Sequence, residues 1–150
     1  MLCMLLMFWC SVLASAQVQI SVPEQPFRSG DKIDAAITNV GTSDVTFCVT
    51  FRNFGYVDHH VEEAFPSPMV LQQKGPQGWG ALFTGYVTSP PPPQAVTLRS
   101  GESQHFPFRV HTHGTVRLDL TYGFGSNEHF CNDRANMSIA EASSREFSID

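Results

Sequence analysis

Three histidines near residue 110 are the residues whose type and spacing best suit chemistry. They share strand parity with Arg109, and they are His105, His111 and His113. A His-x-His pair on a strand can present two imidazoles to zinc or copper. A third ligand would have to come from His59, His60, Glu62, Glu63 or His129. Because Arg109 repels a cation and structural sites usually need four ligands, we expect the solvated face of a strand and no cofactor.

The serine and acidic residues do not form a recognisable catalytic set. Ser43 and Ser126 lie in turns that lack the Gly-x-Ser-x-Gly frame of an exposed nucleophile. Glu62 and Glu63 are adjacent, so on a strand they would face opposite ways and could not readily share a proton. No Gly-rich loop opens a helix that would hold phosphate. The sequence therefore predicts no catalytic residue and a protein that is not an enzyme.

The first segment is typical of an export signal. An apolar run from Leu2 to Ala14 is followed by Ala14-Ser15-Ala16, whose small residues suit cleavage after Ala16. The run is too short to span a bilayer as a helix. No Lys or Arg precedes it, and an uncleaved anchor is the alternative. We expect residues 1–16 to be a signal peptide and residues 17–150 to be one exported domain without a membrane span, in the periplasm, the cell envelope or the medium.

Two of the four cysteines, Cys48 and Cys131, would remain in the exported domain. Paired cysteines are common outside reducing compartments, so we predict one disulfide between them. Two free thiols are the alternative. Cys48 lies off the apolar face of its strand, so the bond would hold the Cys131 loop over the outer face of a sheet.

The charge balance argues against nucleic acid as a partner. The chain carries 9 basic and 14 acidic residues, a formal net charge of −5, and its basic residues form no cluster. Phosphate backbones require cationic surface. We expect instead an unidentified protein or an envelope component.

Aromatic residues in the irregular middle of the chain are the candidates for binding such a partner. They are Tyr56, Trp79, Phe83 and Tyr86. Aromatic rings on loops and strand ends make good anchors for proteins or sugars. The favoured alternative for Trp79 and Phe83, which share strand parity, is that they complete the core.

Alternation of apolar and polar residues predicts an all-β fold. Two amphipathic hairpins are indicated, because each of two turn segments, residues 39–44 and the turn at Gly114, separates a pair of alternating runs. The inward residues are Ile33, Ala35 and Ile37; Val45, Phe47, Val49 and Phe51; Phe106, Phe108 and Val110; and Val116, Leu118, Leu120 and Tyr122. Further strands are predicted at Val18–Val22, Met69–Gln73, Trp79–Phe83 and Phe147–Ile149, with a stiff connection at Pro90–Pro93. This pattern favours an antiparallel β-sandwich of about seven or eight strands.

The order of several turn and packing motifs resembles that of exported bacterial immunoglobulin-like domains. The stretches that carry the resemblance are Ile37–Gly41, Met69–Gln73 with Gly78-Trp79, Leu98–Glu102 and Gly114–Leu118. The intracellular proteinase inhibitor family of bacilli is built on a similar plan. The resemblance implies an immunoglobulin-like sandwich serving as a non-enzymatic binding or accessory module. The alternative that it implies is a proteinase inhibitor acting through a loop such as Arg52–Phe65.

Overall fold

The computed structural model describes residues 17–55, 64–82, 91–134 and 137–150. The expected signal peptide, residues 1–16, therefore lies outside the described part of the chain.

Twelve strands form the regular structure of the described residues, which contain no helix. The strands are β1 (Val18–Ser21), β2 (Lys32–Asn39), β3 (Val45–Arg52), β4 (Phe54–Gly55), β5 (Phe65–Ser67), β6 (Val70–Gly75), β7 (Gly78–Ala81), β8 (Gln94–Leu98), β9 (Ser103–His111), β10 (Gly114–Phe124), β11 (Ile139–Ser143) and β12 (Phe147–Ile149). The all-β prediction is confirmed. The strand count exceeds the predicted one because several strands have only two to five residues.

The strands form two sheets. The first has the order β1-β2-β9-β4, in which only the short β4 runs parallel to its neighbour among the described strands. The second follows the path β5-β3-β10-β6-β7, with β8 along β3 and with β11 and β12 along β10. Immunoglobulin-like sandwiches place strands A, B and E in one sheet and C, F and G in the other. Strands β1, β2 and β9 and strands β3, β10 and β11 take those places, so the predicted immunoglobulin-like sandwich is confirmed.

Both predicted hairpins are wrong in their pairing. Strand β2 pairs with β1 and β9, whereas β3 lies in the other sheet and pairs with β5, β8 and β10. Likewise β9 and β10 lie in different sheets. Alternation reports which face of a strand is apolar and not which strand lies beside it. Each turn segment therefore carries the chain across the sandwich.

The core fills the space between the sheets with the predicted inward residues. Phe47, Phe108 and Leu118 are fully buried in a single apolar cluster. The Phe47 ring of the second sheet meets the Phe106 ring of the first edge-on, with ring centres 5.9 Å apart. The predicted apolar face of β3 ends early: Val49 is half-buried and Phe51 is 41% exposed, and Pro66, which pairs with Phe51, is exposed as well.

Asn39, at the end of β2, fixes the crossing to β3. Its buried amide nitrogen donates to the carbonyl oxygens of Ser43 (2.8 Å) and Leu98 (3.0 Å), and its amide oxygen accepts from the Gly41 N–H (3.1 Å). Its backbone also bonds Gly101 and Glu102. One side chain therefore joins the first crossing to the turn after β8.

We expect Asn39→Ala to lower the free energy of unfolding by about 2–3 kcal/mol, because it removes the three hydrogen bonds that this fully buried side chain makes. Urea denaturation of the purified protein measures this. Thr38→Ala is the control, since it removes only an exposed hydroxyl bond to Ser103, and it should cost less than about 1 kcal/mol. Equal effects of the two variants would contradict this role for Asn39.

Candidate functional site

Strands β6 and β7, which overlap the strands predicted at Met69–Gln73 and Trp79–Phe83, pair with each other as a hairpin. Gly75 pairs with Gly78 across a turn of two residues, Pro76 and Gln77. Gly78 has φ of +109°, a left-handed conformation that suits glycine and strains other residues. The hairpin extends the second sheet beyond β10 and presents one face to solvent.

Trp79 lies on the outer face of this hairpin and not in the core. Trp79 pairs with Lys74. Two residues further along the same face, Ala81 pairs with Gln72, and Gln72 pairs on its other side with Arg117 of β10. Directly paired residues share one face of a sheet, so these side chains all face outward. The expectation that Trp79 completes the core is therefore wrong, because the inward position of the hairpin beside it is Gly80, opposite Gln73. Trp79 is half-buried.

Two cationic side chains, those of Arg117 and Lys74, make cation–π contacts with the Trp79 ring. The Arg117 guanidinium carbon lies 4.4 Å, and the Lys74 ammonium 5.6 Å, from the centre of the ring. Contacts of this kind contribute about 0.5–1 kcal/mol each at exposed sites. Contacts of this size favour one rotamer of the indole, and so they reduce the conformational entropy that it loses on binding. The ring is thus a pre-positioned anchor.

Both cations have acidic partners. Arg117 lies side-on against Asp119, with Nε 3.1 Å from Oδ1 and Nη2 donating to Oδ2 at 3.3 Å. The Ser143 hydroxyl donates to the same carboxylate at 2.7 Å, and Lys74 pairs with Glu146 at 3.3 Å. We call Lys74, Trp79, Arg117 and Asp119 the Trp79 face. Its two cations are balanced by the carboxylates of Asp119 and of Glu146, which flanks this face, so it offers an aromatic surface framed by ion pairs.

A groove runs along the same hairpin. It has a volume of about 780 Å³, and it is lined by residues 73–82, including Trp79 and Leu82. A groove of this size next to a rigid aromatic ring can take an apolar side chain of a partner.

The other aromatic binding candidates, Tyr56, Phe83 and Tyr86, lie outside the described residues. Most of the loop proposed for proteinase inhibition, residues 56–63 within Arg52–Phe65, lies outside them as well.

The histidines are not brought together. His105 lies on the outer face of β9, where its Nδ1 is 2.8 Å from Asp34 Oδ2. His111 ends β9, and His113 lies beyond the strand, with its carbonyl accepting from Gln73. Six strand residues span about 20 Å, which separates His105 from His111. Within the described ranges, no three His, Cys, Asp or Glu side chains form a group that could hold a metal ion.

The structure joins Cys48 to Cys131, with Cα atoms 5.3 Å apart. Cys48 points away from the core, and the segment that carries Cys131 covers it. The Thr46 hydroxyl anchors the same segment, donating to the Gly125 carbonyl (2.6 Å) and accepting from the Asn127 N–H (3.2 Å). The loop therefore lies over the outer face of the second sheet, as the sequence predicted.

Arg117 and Asp119 are functional candidates that sequence reasoning missed. They alternate with the buried residues of β10, a pattern that indicates only a solvated face. Their relation to Trp79 depends on β6 pairing with both β7 and β10, which no local pattern reports.

No helix in the described part of the chain is long and apolar enough to cross a membrane.

No family model and no curated protein matches this sequence. Several solved structures are similar, among them the following two. One is the ASH / PapD-like domain of human CEP192 (PapD-like domain 7), with a TM-score of 0.36, 11% identity, and coverage of 89% of this chain and 85% of that chain. The other is the sporulation control protein Spo0M from Bacillus subtilis, with a TM-score of 0.34 and 11% identity; the match covers 89% of this chain and about half, 49%, of that chain. These comparisons give no support to the resemblance to proteinase inhibitors.

Proposed function

We propose that the protein is a non-enzymatic binding module that acts outside the reducing cytoplasm, in the periplasm, the envelope or the medium. Its partner is a protein, which it engages through the Trp79 face and the adjoining groove. The observation that carries this proposal is the partly exposed Trp79 ring on the outer face of the second sheet, with the Arg117 guanidinium carbon 4.4 Å from the ring centre.

Tryptophan and arginine are the residues most enriched at binding hot spots. The Trp79 face presents both on strands of a sheet, so the anchor is fixed before the partner arrives. Because Asp119 and Glu146 neutralise the two cations, the face favours an apolar side chain of the partner over a strongly charged one. This fits a protein partner better than a nucleic acid.

The disulfide supports the proposed location. Disulfides form and persist in oxidising compartments and are rare in the cytosol. Export through cleavage of residues 1–16 is part of the same proposal, and amino-terminal sequencing of the protein purified from its host tests it. A first residue at Gln17 is the expected result, and an intact leader would contradict cleavage.

We expect Trp79→Ala to weaken binding of the partner at least about 30-fold, the loss of about 2 kcal/mol that defines a hot-spot residue. The partner is captured from an envelope extract of the host on immobilised wild-type protein, identified, and then titrated against each variant. Trp79→Phe should retain part of the affinity because it keeps an aromatic ring.

Val40→Ala is the matched control, because Val40 is 52% exposed and lies on the connection between β2 and β3, outside the Trp79 face. It should bind as the wild type does. The proposal fails if Trp79→Ala retains a folded circular dichroism spectrum and binds the captured partner as tightly as the control.

A further inference from the structure

Strand β7 is the last strand of the second sheet, and among the described strands it pairs only with β6. Natural sheets blunt such edges with charged side chains, with proline or with very short strands. Strand β5, at the opposite end of the same sheet, contains Pro66, and β4, at one end of the first sheet, has only two residues. Strand β7 carries no charged side chain and no proline, so its sequence does not protect its outer edge.

The ladder between β6 and β7 shows which backbone groups lie on that edge. The Leu82 N–H donates to the Leu71 carbonyl at 2.8 Å. Alternate residues of an antiparallel strand bond to the same neighbour, so Gly80 also directs its N–H and C=O groups toward β6. The N–H and C=O groups of Trp79 and Ala81 therefore point away from β6, along the outer edge of β7.

The inner side of β7 leaves room for the side chain of an added strand. Gly78 and Gly80 occupy its inward positions, and a Cβ at either residue would meet nothing within 4 Å. Leu82 follows on the same side and packs, partly buried, against the core. An apolar side chain opposite Gly80 would enter this open space beside Leu82 and extend the core.

On the outer side, the same added strand would lie beside the Trp79 ring. A residue that pairs with Trp79 projects its side chain outward, next to the indole. Lys74 and Arg117 already have Glu146 and Asp119 as partners, so this position favours an uncharged side chain. Strand β1, which ends the first sheet, is also uncharged, but it carries no aromatic side chain that could anchor a partner.

We propose that the partner protein binds by β-strand addition, in which an extended, uncharged segment of the partner pairs with the outer edge of β7 and continues the second sheet. This inference rests on the proposed function, because it specifies how the partner of the Trp79 face is held. Backbone hydrogen bonds to Trp79 and Ala81 supply affinity, and alternate side chains of the segment supply specificity. The segment places an apolar residue opposite Gly80 and uncharged residues opposite Trp79 and Ala81.

Amide hydrogen exchange followed residue by residue by NMR tests the pairing on the unaltered protein. The probe is the purified partner that the wild-type protein captures from the envelope extract of the host. We expect the Trp79 and Ala81 amides to exchange fast in the free protein and at least about tenfold more slowly in the complex, because a paired amide exchanges only when the strand opens. The Gly80 and Leu82 amides, which face β6, should be protected in both states. Unchanged exchange at Trp79 and Ala81 in the complex would overturn strand addition.

The substitution Ala81→Pro removes one N–H from the outer edge. Proline occurs on edge strands where its nitrogen faces away from the ladder, so the variant should keep the pairing of β6 with β7. We expect it to weaken binding of the partner at least about tenfold, because a hydrogen bond is lost and the ring obstructs the edge. Ala81→Ser keeps the N–H and a small side chain, so its loss of affinity should stay below about twofold. Equal affinities of the two variants would contradict the proposal.

The outcomes separate this inference from the function on which it rests. If Trp79→Ala weakens binding and Ala81→Pro does not, the Trp79 face stands and strand addition fails. If Trp79→Ala binds as the wild type does, the proposed function itself fails. Slow exchange of the Trp79 and Ala81 amides in the free protein would also overturn strand addition by a partner, because the edge would already be occupied. Analytical ultracentrifugation would then show whether a second copy of the chain occupies it.

Discussion

Replacing Cys48 and Cys131 together with alanine is expected to lower the free energy of unfolding by about 4–5 kcal/mol. The bond joins residues 83 positions apart, and the loss of conformational entropy that a crosslink imposes on the unfolded chain grows with the length of the loop it closes. That loss is a large share of the 5–15 kcal/mol typical of a whole domain. Urea denaturation at pH 7 under non-reducing conditions measures it.

Thr50→Ala is the control for this substitution. Thr50 lies on the same strand two residues from Cys48, and its hydroxyl makes only a 3.4 Å contact with the Ser67 carbonyl, so its loss should cost less than about 1 kcal/mol. Reducing the wild-type disulfide should reproduce the effect of the double substitution. Two free thiols in the mass spectrum of the oxidised protein would refute the pairing.

Phe47→Ala should destabilise the protein by about 3–5 kcal/mol, the range for removing a fully buried aromatic side chain. Phe47 is completely buried, and its ring meets Phe106 of the opposite sheet. The substitution therefore opens a cavity between the two layers. Thermal and urea unfolding measure the loss.

Phe51→Ala is a matched control, because Phe51 is on the same face of the same strand but is 41% exposed. It should cost about 1 kcal/mol, since less of its apolar surface leaves water on folding. The two costs should differ because Phe47 packs in the core between the sheets, whereas Phe51 is partly exposed to solvent. Similar costs for both substitutions would contradict the described packing.

The sequence predicted which face of each strand is buried, but it did not predict which strands pair with each other. The alternation from Ile33 to Ile37 and from Phe106 to Val110 identified the buried side chains correctly. A two-residue period fixes the orientation of side chains about one strand. The partner of that strand depends on packing between distant segments, so the two crossings looked like hairpins.

Four strands were missed. Strands β4 and β5 have only two and three residues, and the inward residues of β8 and β11 give a weak apolar signal. Strand β11 turns Ala140 and Ala142 toward the sandwich and leaves Ile139 51% exposed. Strand β8 runs along β3 and buries only Leu98 fully. Small or half-buried residues reduce the contrast on which periodicity depends.

The candidate site was only partly predictable. Trp79 was identified by residue type, but its outward direction follows from pairing with Lys74. Its contact with Arg117 of β10 joins residues far apart in sequence. Only the folded sheet brings these groups together.

Site-specific photo-crosslinking in the host tests most directly where the partner binds. A photoreactive residue is placed at Ala81, which is exposed on the outer face of the second sheet beside Trp79, or at Gln19, which is exposed on the outer face of the first sheet. We predict a defined covalent adduct from position 81 and none from position 19. An adduct that forms from position 19 and not from position 81 would contradict the Trp79 face as the binding surface.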